Sequence, residues 1–151
     1  GTSGHILIDD VPDVSALLSV PHLPVEGHPD MEGVLAGKLL LNLNNALNAL
    51  SGLTLYEQLG DRRWRSLLAS CQEEALAVFR AAGVEPWSMG PLPAARLPSL
   101  LRLPTFLFRL LARSAVRIDR TARSSMWEDL ERGRATEIGE LQGRIVAMAS
   151  E

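Results

Sequence analysis

From Asp30 onward the chain is patterned for helices almost throughout, and its one β-prone run, His5 to Ile8, lies before that point. A strand without a partner buries nothing, so such a chain must cover its apolar surface helix against helix. Asp9, Asp10 and Pro12 follow the β-prone run at once, which reads as a last strand feeding a helix start. The chain opens on GTSGHILIDDVPDV, with no initiator methionine. Residues 1–28 are therefore expected to be the tail of an upstream α/β domain that is mostly missing, and 29–151 a helical domain. The expected fold class is mainly all-α.

Asp30 is placed to cap a helix running to about Leu50, where Ser51-Gly52 supplies a stop. A second helix is predicted from about Asp61 to Ala82, with Trp64, Leu67, Leu68, Cys71, Ala75, Val78 and Phe79 on its apolar face and Gly83 closing it. Pro86, Pro91, Pro93, Pro98 and Pro104 then cut the chain into short pieces. TFLFRLLARSAVRI reads as a helix with a broad apolar face and arginines at the rim. Two more helices are predicted, from about Ser125 to Glu131 and from about Thr136 to Ser150. At 151 residues and 46% hydrophobic content the chain can hold one real core.

Composition excludes several functions. A net charge of −3 without a long basic run argues against nucleic acid, and the 5% aromatic content offers little for base stacking. One cysteine, Cys71, cannot form an internal disulfide, so a reducing, cytoplasmic setting is expected, with Cys71 a small buried hydrophobe. No apolar stretch reaches membrane-spanning length, and no signal-peptide layout opens the chain. His5, His22 and His28 have no metal-binding spacing and read as surface or packing residues.

The chemistry-bearing feature lies in GKLLLNLNNALNAL. Lys38, Asn42 and Asn45 fall within about 60° of one another at about 100° per helical residue, while Leu39, Leu40, Leu43, Leu47 and Leu50 take the other side. An ammonium beside carboxamides on so apolar a helix is costly unless something needs it. Two readings stand here, a binding site or a snorkelling lysine with asparagines bonded to neighbouring helices. A second polar group, Ser124, Ser125, Asp129, Thr136 and Glu137, lies near two helix starts. Ser125 and Glu128 have the form of a capping box, and Glu137 suits a first helical turn; yet helix N-termini also attract anions.

Taken together, K-x-x-x-N at Lys38 and Asn42, N-A-L-x-A-L from Asn45, E-x-x-x-V-x-x-x-x-G at Glu74, Val78 and Gly83, and S-S-M-x-x-D-x-x-x-G-R-x-T-E-I resemble the ketopantoate reductase (2-dehydropantoate 2-reductase) family. The resemblance runs from Asp30 to the C-terminus, and the last string is its most specific part. It implies a helical C-terminal domain of the 6-phosphogluconate dehydrogenase type, normally paired with an N-terminal dinucleotide-binding domain. It also implies NADPH-dependent reduction of a small-molecule 2-oxo acid, ketopantoate to pantoate in pantothenate biosynthesis. By the resemblance, Lys38 is the catalytic lysine, Asn42 helps hold substrate, Ser125 contacts the substrate carboxylate and Glu137 is the acidic partner. Asp129 is a recurrent position without an assigned role. A homodimer is one assembly open to domains of this kind.

There are departures. Ala36 stands where many relatives carry tryptophan, and Asn45 follows Lys38 by seven residues where some relatives use eight, which leaves Asn45 a weaker substrate-binding candidate. No G-x-G-x-x-G follows a strand, so NADPH is expected to bind mainly to a domain absent from this chain, and the chain alone is expected to be inactive. The alternatives are another 3-hydroxyacid dehydrogenase-like reductase with a different 2-oxo acid, or a non-catalytic helical dimerisation module.

Overall fold

A computed structural model of the protein describes residues 6–20, 22–88, 90–115 and 119–150. His5 lies outside them. β1 (Ile6–Asp9) pairs in parallel with β2 (Val25–His28), Ile6 opposite Val25 and Asp9 opposite His28, and α1 (Pro12–Leu18) crosses between them. The strand expected to stand alone thus has a partner. Val25-Glu26-Gly27-His28 is too short and polar to read as a strand, and it forms one because a parallel neighbour and a helical crossover are in place. Pro12 at the start of α1 and Asp13 in its first turn suit a helix N-terminus.

The helical part opens on α2 (Met31–Asn42), capped by Asp30, whose Oδ1 accepts from the Gly33 N–H at 2.8 Å. The single helix predicted to reach Leu50 is in fact two, because α3 (Asn44–Ser51) follows an interruption at Leu43. The interruption is shallow: Leu43 keeps right-handed dihedrals, φ −55° and ψ −24°. Two glutamine side chains bear on it, Gln72 Nε2 donating to the Leu40 carbonyl at 3.2 Å and Gln142 Nε2 to the Leu43 carbonyl at 2.9 Å. Side-chain donors set against a helix ladder are a recognised cause of such breaks. Gly52, at φ 66°, ends α3 in the left-handed conformation that glycine tolerates best.

Thr54 and Glu57 form a capping box for α4 (Leu55–Gly60), and Asp61 caps α5 (Arg62–Ala81). The buried face of α5 is Arg65, Leu68, Ala69, Gln72, Ala75 and Phe79. This corrects the predicted face: Leu67 is exposed, Trp64 and Cys71 are half-buried, and two polar residues lie inside. Arg65 is tolerated there because Leu59, Leu101 and Leu103 offer it three carbonyls, at 2.8, 3.1 and 3.0 Å. Those carbonyls belong to the ends of α4 and α6 (Leu97–Arg102), so one guanidinium ties both to α5.

α7 (Thr105–Ala115) buries Phe108, but Phe106, Leu110 and Leu111 remain exposed, so the broad apolar face expected there is mostly uncovered among the described residues. The main core gathers Ala36, Leu40, Leu43 and Leu47 from the α2–α3 region against Leu68, Ala69, Ala75 and Phe79 of α5. Full burial of a side chain such as Leu40 or Phe79 stabilises by about 2 kcal/mol. Leu50, expected on this side, is 78% exposed in the last turn of α3, just before Gly52 ends the helix, whereas Leu47 one turn earlier is buried. The chain ends with α8 (Ser125–Glu131) and α9 (Gln142–Met148). No helix among the described residues is long and apolar enough to cross a membrane.

Candidate active site

Lys38 and Asn42 lie one turn apart on α2, and Asn45 begins the next helix. The back of α2 is pinned by the segment after α5: the Trp87 N–H donates to the Gly33 carbonyl at 2.8 Å, and a Cβ on Gly37 would collide with the Trp87 carbonyl oxygen. His28 packs edge-on to Trp87, at 5.5 Å between ring centres, while His22 is exposed. With Gly37 buried, Lys38 is left exposed, and Asn42 and Asn45 are half-buried. The desolvation cost expected for the ammonium is therefore absent in this chain.

Ser124, rather than Ser125, caps α8. Its Oγ accepts from the Trp127 N–H at 3.2 Å and donates to the Asn45 carbonyl at 3.1 Å, and its N–H donates to Asn48 Oδ1 at 2.8 Å. The predicted capping box at Ser125 and Glu128 is thus corrected by one residue. Contacts to α3 hold Ser124 extended, at φ −74° and ψ 155°, and so fix where the helix begins. Ser125 becomes the first helical residue and is exposed.

Asp129 pairs with Arg134 at 2.7 Å, and the Arg134 N–H also donates to the Asp129 carbonyl at 2.8 Å. This ties the end of α8 to the GR.TEI segment. The helix predicted from Thr136 begins only at Gln142; residues 137–141 form a turn in which the Leu141 N–H donates to the Glu137 carbonyl at 3.0 Å. Leu141, at φ −100° and ψ −88°, leaves helical geometry as it enters the interior. Burial of this leucine outweighs the local helix preference, which Gly139 and Gly143 already weaken.

Leu141, Ala46 and Met126 form a second buried cluster, with Leu39 and Ala49 packed against it. Four of these five lie beside predicted site residues: Leu39 follows Lys38, Ala46 follows Asn45, Met126 follows Ser125, and Leu141 closes the turn opened by Glu137. Three stretches distant in sequence thus meet through their apolar neighbours. Among the described residues, no hydrogen bond or ion pair joins the side chains of Lys38, Asn42, Ser125 and Glu137 to one another.

An amide network beside this cluster was not anticipated. Asn48, fully buried, donates to the Leu53 carbonyl at 3.1 Å and to Gln58 Oε1 at 3.0 Å, and Gln58, also fully buried, donates to Asn44 Oδ1 at 2.9 Å. The sequence signal was present: asparagine at 44, 45 and 48 puts more carboxamide on a core-facing helix than a single solvent face can hold. No three metal-ligating side chains converge among the described residues.

Over residues 30–151 the chain matches the family model described as Ketopantoate reductase PanE/ApbA C terminal. The chain belongs to this family. A PanE/ApbA family ketopantoate reductase from Ralstonia eutropha JMP134 has a similar structure, with a TM-score of 0.74 at 26% identity, over 99% of this chain and 45% of that one. The chain thus spans under half the length of that ketopantoate reductase. Comparison with curated proteins gives no match. The helical fold matches the C-terminal domain of the ketopantoate reductase family, and the short parallel sheet fits the remnant of an N-terminal domain.

Proposed function

We propose that the chain is the substrate-binding and catalytic C-terminal domain of an NADPH-dependent 2-oxo acid reductase, with ketopantoate as substrate and pantoate as product. The observation that carries this reading is the convergence of the Lys38, Ser125 and Glu137 stretches on one buried cluster, in a chain whose family is ketopantoate reductase.

The chain's own βαβ unit does not suit a dinucleotide. Asp9 at the end of β1 and Asp10 in the β1–α1 connection stand where a phosphate-binding loop needs glycines, and two carboxylates would repel a pyrophosphate. We therefore assign NADPH to an upstream dinucleotide-binding domain, and residues 1–28 to its tail.

What the helical domain contributes follows from elementary chemistry. Reduction of a ketone builds negative charge on oxygen, and the Lys38 ammonium stabilises that charge and delivers the proton from Nζ. Asn42 and Ser125 orient the 2-oxo acid without adding charge, while Glu137 steadies the ammonium. Asn45 is a neighbour whose backbone carbonyl already serves the α8 cap.

In the full-length protein, Lys38→Ala is expected to lower kcat with ketopantoate by about a thousandfold and leave the fold intact, since Lys38 is exposed. Full turnover by this variant would overturn the reading. Residues 1–151 alone are expected to show no NADPH-dependent turnover.

A further inference from the structure

We infer that Asn48 is a positioning residue: by holding the Ser124 N–H it sets where Ser125 meets the substrate carboxylate. This rests on the role proposed for Ser125.

The Asn48 carboxamide is fully buried, and its neighbours fix its orientation. Leu53 offers only a carbonyl, at 3.1 Å, and Ser124 only an N–H, at 2.8 Å, so the amide cannot flip without losing both. The remaining Nδ2 hydrogen goes to Gln58 Oε1, and Gln58 is held in turn by Asn44. Ser124 also donates its hydroxyl to the Asn45 carbonyl at 3.1 Å, so the start of α8 hangs from two points of α3 one turn apart. Met126 packs beside Ala46, but an apolar contact is not directional, whereas the amide fixes angle as well as distance.

Ser125 itself is exposed. Its placement comes through the Ser124 backbone, and removal of Asn48 leaves that buried N–H and the Leu53 carbonyl without partners, and Gln58 Oε1 with only the 3.5 Å bond from Asn44 Nδ2. The chain then shifts to find them, and Ser125 moves with it. Asn48 touches no substrate in this account and acts through Ser124.

The test is steady-state kinetics of the full-length protein with ketopantoate and NADPH. Asn48→Ala is expected to raise the KM for the 2-oxo acid about tenfold, with the KM for NADPH changed less than about twofold. Asn48→Asp keeps an acceptor for the Ser124 N–H but sets a buried carboxylate oxygen against the Leu53 carbonyl and Gln58 Oε1, so it should not restore the 2-oxo acid KM. Should Asn48→Ala fail to fold, Gln58→Met removes the support of the amide and is read the same way. Asn48→Ala and Ser125→Ala together should cost little more than Ser125→Ala alone. Additive effects, a parallel rise in both KM values, or a lowered Tm with an unchanged 2-oxo acid KM would each overturn the inference. Lys38→Ala, run alongside, tests the reductase reading separately: its failure to reduce turnover removes that reading whatever Asn48 does.

Discussion

The guanidinium carbon of Arg65 lies 4.4 Å from the centre of the Phe108 ring, and both side chains are buried. Desolvation pulls the Arg65 pKa down, as does nearby Arg62, while Asp61 partly opposes them. The group nevertheless stays charged at neutral pH, since arginine starts so high. Arg65→Met is expected to destabilise by about 3 kcal/mol, because the Leu59, Leu101 and Leu103 carbonyls lose their donor. Arg65→Lys should lose most of the same stability, since an ammonium lacks the planar fork. Chemical denaturation checks both, and an unchanged midpoint for Arg65→Met would refute the role.

Gly37 packs so closely under the Trp87 carbonyl that no side chain fits. Gly37→Ala should destabilise by about 2 kcal/mol, since the clash is with backbone and not with a flexible side chain. Gly139 has open space around its Cβ position and no positive φ, so Gly139→Ala should be neutral or slightly stabilising. Paired thermal melts distinguish close packing from a general dislike of alanine.

Four acids, three of them exposed and Asp61 half-buried, have depressed pKa values. The Thr54 backbone N–H and hydroxyl lower Glu57, Arg63 lowers Asp61, Arg102 lowers Glu73, and the Thr121 backbone N–H and hydroxyl lower Asp119. A depressed folded value means that the stabilisation is complete above the unfolded value, about pH 4 to 4.5, and is lost as pH falls through the folded one. Tm should therefore drop steeply below about pH 4.5, and Glu73→Gln should blunt part of that drop. An identical pH slope in the variant would count against the Arg102 pairing.

Burial pushes the Cys71 thiol up, and Glu74 adds to the shift. At pH 7.5 the folded protein is expected to react with iodoacetamide at least about tenfold more slowly than the unfolded chain. Mass spectrometry of timed aliquots measures this, and equal rates would show an accessible thiolate.

Local chemistry made much of the helical domain legible. Asp30 caps the helix it was expected to cap, the helix predicted from about Asp61 starts there with Asp61 as its cap, and Gly52 and Gly83 follow the predicted ends with positive φ. What escaped depends on contacts between distant segments. Nothing near Val25 announces a strand until β1 lies beside it, and nothing near Leu43 announces a break until Gln72 and Gln142 arrive from other helices. The shift of the α8 cap from Ser125 to Ser124 has the same origin, since α3 selects between adjacent serines. Among the candidate site residues, the types and spacings were readable from the string, but the cluster of Ala46, Met126 and Leu141 beneath them was not.

The break at Leu43 bears on how such a chain tolerates a change of length. In an unbroken helix, one inserted residue turns everything beyond it by about 100° and carries the following side chains off their face. Here the ladder is already interrupted, and glutamines from two other helices hold the carbonyls on either side as pegs hold a rope. An insertion at that point can bulge locally, leaving Lys38 and Asn42 before it and the Ser124 anchorage after it in register. A spacing of seven or eight residues between the lysine and the later asparagine is then a difference that the fold absorbs at one joint.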